Sequence, residues 1–358
     1  MIKRVLKPLF DPTVLKEIVY SITAIVLALV IGAVIIWVSG YNVLKAYSSL
    51  FMGSFGNIYN ISQTLLKSIP LVFTGLTVAV GFRSGLFNIG GEGQLYLGAF
   101  FSAIVALWLT DATPSVIAIP ICIIAGAVGG AIWAFIPGYL KAKTGAHEVV
   151  TTIMTNYIGI LLTRFLLVKY FKEPGAVDQT ATIPATSQLP EIFEGTRLTW
   201  AIFVAVLVVF LVDYFYRKTY WGYEFRAVGE NKFASAYVGI KTPRVIILTM
   251  CLSGAMAGIG GATMVMGLLN RFIVNFSPGY GFVGIAVALL GRNNAWGVLG
   301  AAILFGALDA GGMSMQLFAK IPSDLMVIIQ GLVIIFVSAS SILAYFWRKK
   351  LGSQNGNA

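Results

Sequence analysis

The chain has 358 residues, 58% hydrophobic and only 11% charged, with a formal net charge of +11. A soluble domain of that composition would expose large apolar patches that a bilayer solvates, so the balance excludes a soluble protein and points to a membrane protein. Windows free of Asp, Glu, Lys and Arg, such as 112–140, 245–270 and 325–347, suit helices of ~20 residues better than barrel strands of about 9–11.

The expected fold is therefore all-α and polytopic, with about ten transmembrane helices. In chain order these fall at 20–39, 61–80, 92–109, 115–137, 148–168, 198–215, 245–268, 279–290, 296–312 and 325–346. The second, eighth and ninth contain or adjoin Gly and Pro ("KSIPLVFTGLTVAVG", "SPGYGFVGIAVALLG", "NNAWGVLGAAILFGALDAGG"). That predicts short or interrupted helices or a re-entrant pair, and a count of eight if such a pair does not cross. The expected organisation is an N-terminal segment 1–19, one transmembrane domain 20–346 and a tail 347–358 whose "GSQNGNA" composition predicts disorder. Lys3, Arg4, Lys7, Lys16, Asp11 and Glu17 precede the first span and no small-residue cleavage site follows it, so it is expected to remain as a signal anchor.

On a ten-span topology, Lys3, Arg4, Lys7, Lys16, Arg83, Lys141, Lys143, Arg217, Lys218, Arg226, Lys232, Lys241, Arg244, Arg292, Arg348, Lys349 and Lys350 share one side. Lys45, Lys169, Lys172, Arg197, Arg271 and Lys320 lie opposite, while Lys67 and Arg164 fall within spans. The positive-inside rule then puts both termini and the loop 216–244 in the cytoplasm. The positive charge reports topology and calls for no nucleic-acid partner.

Other chemistry is sparse. Cys122 and Cys251 sit inside spans, and no Cys/His spacing predicts a metal site. His147 is the single histidine, beside Glu148 at a helix start, where a surface or capping role is commoner than catalysis. The glycine-rich "NIGGEG" and "GIGGATMV" follow no strand, so they predict close helix packing rather than a phosphate cradle, and no other nucleotide-binding motif is present. No cofactor is expected.

The cytoplasmic loop contains "GENKFASAYVGIKTPR" (229–244), which reads as a short capped helix. Asn231 suits the N-cap, Glu230 the positive end of the helix, Ala234 and Ala236 are helix formers, Gly239 suits a left-handed stop and Pro243 blocks continuation. Ala234, Ser235 and Ala236 are small enough for a partner groove to close over the helix. An amphipathic loop lying on lipid headgroups fits the same residues.

"VGENKFASAYVGI" resembles the coupling segment of permease subunits in ATP-binding-cassette (ABC) importers, in the branch of ribose-type and branched-chain amino acid permeases. "GLTVAVGFRSGLFNIGGEGQLYLGAF" (75–100), "AHEVVTTIMTNYIG" (146–159), "SGAMAGIGGA" (253–262) and "GYGFVGIAVALLGRNNAWGVLGAAILFGAL" (279–308) carry the likeness over most of the chain. The "GLFNIGGEGQ" and "EVVTTIMTNYI" forms are most similar to the nucleoside subgroup, although Ser235 and Ala236 stand where that subgroup usually has Ala and Arg. The resemblance implies a non-enzymatic subunit of the bacterial cell membrane that lines the path for a nucleoside. It implies as partners an ABC ATPase with two cassettes, a second homologous permease and an external substrate-binding lipoprotein of the basic-membrane-protein type. Ribose-like sugars and riboflavin-like compounds are the neighbouring substrate classes. A gradient-driven carrier and a non-transporting assembly factor are the rivals from other classes.

Polar groups inside spans are expensive and mark candidate path residues. They are Asn88, Glu92 and Gln94 in "FNIGGEGQ", Glu148, Thr152 and Asn156 in "EVVTTIMTN", and Asn270 beside Arg271. Glu148, Thr152, Thr155 and Asn156 fall on one helical stripe. The competing expectations are interhelical hydrogen bonds for the threonines and buried ion pairs for Glu92 and Glu148, with Lys67 or Arg164 as partner. Phe82, Phe87, Tyr96 and Tyr157 offer base-stacking surfaces, though helix packing is the commoner use of such rings. The proline-rich external loop 169–197 is expected to lack regular structure, and it fits either a docking surface for the binding protein or a cover over its own helices. Spans 2–5 and 7–10 are two sets offset by five, as an inverted repeat would be.

Overall fold

The computed structural model describes residues 12–338. Residues 1–11 of the N-terminal segment, the end of the tenth span and the tail 347–358 lie outside the described residues.

Thirteen α-helices and no strand are present among the described residues: α1 (Pro12–Val38), α2 (Val43–Phe55), α3 (Ile58–Arg83), α4 (Gly91–Trp108), α5 (Ser115–Thr144), α6 (Glu148–Leu166), α7 (Ala201–Lys218), α8 (Tyr220–Glu230), α9 (Lys232–Tyr237), α10 (Thr242–Met264), α11 (Tyr280–Leu290), α12 (Ala295–Ala319) and α13 (Ser323–Ser338). Each of the ten expected spans overlaps one of these helices, the tenth over its described part. Five apolar helical stretches, Ile58–Arg83, Ser115–Thr144, Glu148–Phe171, Thr242–Leu269 and Ala295–Ala319, are long enough to cross a membrane, and the fold is that of an all-α polytopic membrane protein.

Two expected interruptions are absent. α3 runs unbroken through Pro70 and α12 unbroken through its glycines. Proline removes the amide that would bond the Leu66 carbonyl, and α3 continues because the residues around Pro70 are buried in a packed membrane domain that holds the helix in shape. The eighth span is short as expected: α11 has 11 residues, roughly 16 Å at 1.5 Å per residue, half of a hydrocarbon layer of about 30 Å.

The helices form two compact units. In the unit Asn57–Asp309, α10 is the central helix, packed on α5, α4 and α3. Glycine permits that packing. A Cβ on Gly258 of α10 would collide with the Gly126 carbonyl of α5, and one on Gly98 of α4 with the Gly258 backbone, so the three backbones touch as small-residue seams in membranes do. The other unit comprises the described parts of Met1–Gly56 and Ala310–Ala358. There α1 packs on α13, and the Tyr47 hydroxyl of α2 donates to the Leu29 carbonyl at 2.5 Å.

The segment 169–197 has little regular structure. α6 continues as a π-helical turn, Leu167–Phe171, and the rest contains one 3₁₀ turn, Ala185–Ser187. It is tied to the chain following α10: Thr180 and Ile183 amides donate to the Phe272 and Asn270 carbonyls, each at 2.9 Å, and Leu189 to Met266 at 2.8 Å. Lys172 hydrogen-bonds Asp178 at 2.6 Å, which holds that carboxyl below its usual range.

Candidate functional site

Between α3 and α4 the backbone leaves the helix for residues 84–90. Gly85 takes the left-handed conformation (φ 69°) and lies against Gly229 at the end of α8. Such an excursion inside a membrane protein must find partners for its freed N–H and C=O groups. Asn88, fully buried, is the centre of that repair. Its Nδ2 donates to Gln94 Oε1 at 3.0 Å and Ser253 Oγ at 2.7 Å, and its Oδ1 accepts from the Gly90 amide at 2.8 Å and Gln94 Nε2 at 3.2 Å. Ser253 in turn donates to the Thr77 carbonyl at 2.6 Å, so α3, α4 and α10 meet at this one amide.

From the other side, the polar stripe of α6 closes on the same turn. Asn156 Oδ1 accepts from the Gly93 amide at 2.8 Å and Nδ2 donates to the Ile89 carbonyl at 2.7 Å. Thr152 Oγ1 accepts from the Ile89 amide at 3.3 Å and donates back to the Glu148 carbonyl at 2.7 Å. Glu92 is buried in the first turn of α4, and its Oε2 accepts from the Gly281 amide at 2.5 Å, with Ser277 and Gly279 also within hydrogen-bonding reach. Five of the seven candidate path residues, Asn88, Glu92, Gln94, Thr152 and Asn156, are thus gathered around one turn.

The other two stand apart. Glu148 pairs with Lys141 at 2.7 Å rather than with Lys67 or Arg164, because the left-handed stop at Gly145 (φ 73°) folds the end of α5 back on the start of α6. Asn270 is left-handed (φ 54°) and terminates the π-helical turn Val265–Leu269. Phe82 and Phe87 pack on each other at 4.7 Å, and Tyr96 on Phe276 at 4.6 Å, which are packing uses of those rings. Tyr157 is exposed.

The expected short helix is present as α9. Asn231 Oδ1 accepts from the Phe233 amide at 3.0 Å and the Ala234 amide at 2.9 Å, and Gly239 has φ 93°. Two details differ. Glu230 ends α8, a second loop helix that the sequence reading missed, instead of opening α9. Ser235 is buried against its own chain, with its carbonyl accepting from Ile240, while Ala234 remains exposed. The side chains turned outward are Phe233, Tyr237 and Val238, exposed by 86%, 95% and 74%. Their spacing in "KFASAYV" carried that signal.

Beside α9 lies a cleft of about 380 Å³ lined by Phe82, Arg83, Arg226, Gly229, Glu230, Arg292 and Asn293. Arg83 Nε donates to the Asn293 carbonyl at 2.7 Å, and its guanidinium lies over the Tyr216 ring at 4.9 Å. Three arginines converge from the end of α3, the interior of α8 and the turn after α11, which no local pattern announces. Among the described residues no group of His, Cys, Asp and Glu could hold a metal ion.

Residues 60–338 match the family described as the permease component of branched-chain amino acid transport systems, and the chain belongs to that family. It is 39% identical to the guanosine ABC transporter permease protein NupP of Bacillus subtilis (strain 168), over 96% of this chain and 99% of the relative. To the nucleoside ABC transporter permease protein NupB of Lactococcus lactis subsp. cremoris (strain MG1363) it is 35% identical over 92% of both chains. The glucose ABC transporter permease protein TsgB13 of Haloferax volcanii is 32% identical over 92% of this chain and 89% of the relative. No solved structure matches. The chain is a multi-pass membrane permease and not an enzyme.

Proposed function

We propose that the chain is the permease subunit of an ATP-driven nucleoside importer, paired with a second homologous permease, a cytoplasmic ABC ATPase with two cassettes and an external binding lipoprotein. It resides in the bacterial cytoplasmic membrane with both termini inside. The nucleoside assignment is supported by the solutes named for NupP and NupB.

The observation that carries the coupling role is α9. A six-residue helix, Lys232–Tyr237, is marginal on its own, yet here it is capped at both ends and turns Phe233, Tyr237 and Val238 almost wholly outward. Three large apolar side chains on a capped knob fit a groove on a soluble partner, and the arginine cleft beside it supports an acidic rim on that partner. Asn88, Glu92, Gln94, Glu148, Thr152, Asn156 and Asn270 remain the proposed path residues. The hydrogen bonds of Asn88, Gln94, Thr152 and Asn156 favour a role in holding the wall of that path.

Uptake by membrane vesicles tests the reading. Guanosine entry that requires ATP, the binding protein and the ATPase supports it; entry that needs none of these and stops with an ionophore overturns it. A second reading, a glucose-like sugar as solute, rests on the similarity to TsgB13. A ligand screen of the cognate binding protein separates the two.

A further inference from the structure

Lys67 on α3 and Asp309 on α12 are ionisable residues well inside apolar helices. At 1.5 Å per residue, Lys67 stands roughly 14 Å into its helix and Asp309 roughly 21 Å into its own, far from either water-facing end. The two helices touch directly: a Cβ on Gly306 would come within 2.6 Å of the Thr64 carbonyl and 2.9 Å of the Ser68 amide. One turn beyond that contact, Lys67 Nζ faces Asp309 Oδ2 across 3.8 Å, with the two side chains 23% and 38% exposed.

Lipid tails cannot be what those exposed faces meet, because charged groups turned to hydrocarbon are costly and are found facing the protein interior or water. At 3.8 Å the pair is longer than a charge-assisted hydrogen bond of about 2.7–2.9 Å, so the two groups attract through charge without sharing a proton. It lies at the edge of the buried polar turn: Tyr280, at the start of α11, is an electrostatic neighbour of both Asp309 and Glu92, and the amide of the next residue, Gly281, is held by Glu92.

We propose that Lys67 and Asp309 form a hydroxyl-recognition subsite on the solute path, where Asp309 accepts from the vicinal diol of a ribose-like group and Lys67 donates to it. A pair of opposite charges has no net preference for an ionic solute. A carboxylate with two acceptor oxygens, next to an ammonium with only donors, matches adjacent hydroxyls, each of which both donates and accepts. This deepens the transport reading above and rests on it.

The test uses the complete transporter in proteoliposomes, with both permeases, the ATPase and the binding protein, fed radiolabelled guanosine or 2′,3′-dideoxyguanosine. Discrimination by the binding protein is common to all variants, so a change in ratio belongs to the permease. Asp309→Asn is expected to lower initial guanosine uptake about tenfold while dideoxyguanosine uptake changes less than about twofold. The neutral double variant Lys67→Gln with Asp309→Asn, which leaves no lone charge in the membrane, is expected to show the same altered ratio. Uptake of both solutes falling in proportion, or loss of assembly with an unchanged ratio, would mean a structural ion pair and overturns the proposal. Independently, a cysteine replacing Lys67, in a chain lacking Cys122 and Cys251, is expected to react with a water-borne, membrane-impermeant thiol reagent and to be protected by guanosine. An unreactive cysteine overturns the proposal. If the parental complex takes up glucose but no guanosine, the nucleoside reading fails, and the same variants compared on glucose and 2,3-dideoxyglucose decide the diol subsite separately.

Discussion

The Asn88 carboxamide is wholly engaged inside the protein, bonding to Gln94, Ser253 and the Gly90 amide. Replacing it leaves three partners unsatisfied where no water competes, and each orphaned group costs about 1–3 kcal/mol. Asn88→Ala is therefore expected to destabilise the protein by about 2–4 kcal/mol net, read as a fall of several degrees in Tm of the detergent-solubilised chain. A Tm within about a degree of the parent would show that the turn 84–90 does not depend on this amide. Glu148 makes the opposite case. Its partner Lys141 comes from the end of α5, and both side chains are partly exposed, so the pair contributes little to stability. Glu148→Gln should leave assembly and Tm intact while reducing uptake if Glu148 serves the path, and normal uptake would remove it from the path.

At the scale of elements, α9 has the sharpest expectation. Gly239 is left-handed with φ 93°, a conformation that costs a β-branched residue roughly 1–2 kcal/mol, so Gly239→Val should loosen the helix stop. Ala234 is exposed between Phe233 and Tyr237, whose side chains are turned outward; Ala234→Glu puts a bulky charge into the proposed contact without touching a span. Expression and insertion should be preserved, and co-purification of the ATPase, or its solute-stimulated hydrolysis, should be lost. Parental transport by Ala234→Glu protein would leave the headgroup-lying loop as the better account. Local rules failed at two elements, α3 and α12. Pro70 and the glycines of α12 read as breaks because proline and glycine weaken isolated helices. In the structure Pro70 lies in a buried helix, and Gly306 is the point where α12 meets α3. The backbone leaves the helix at 84–90, within the interval expected between the spans 61–80 and 92–109, and there Asn88 and Asn156 replace the helical bonds.

For the whole molecule, the testable quantity is sidedness. Lys232, on α9, and Thr182, in the segment 169–197, are both exposed. With Cys122 and Cys251 removed, a cysteine at position 232 should be labelled by an impermeant reagent only from the cytoplasm, and one at position 182 only from outside. Labelling of both from the same side would contradict the ten-span topology. The sequence by itself determined what depends on composition and on neighbours along the chain. Apolar length gave the helices, the distribution of Lys and Arg gave the expected orientation, and Asn231 and Gly239 gave the bounds of α9, because capping is a local hydrogen-bonding matter. Tertiary structure alone decided which polar residues meet. Asn88 reaches Ser253, 165 positions away, and Arg83 reaches Asn293, 210 positions away. Glu148 took Lys141, not Lys67 or Arg164, and Lys67 took Asp309. Pairings of this kind depend on how closely backbones approach at glycines such as Gly98, Gly126 and Gly258, and that spacing is a property of three packed helices at once, which no single stretch of sequence contains.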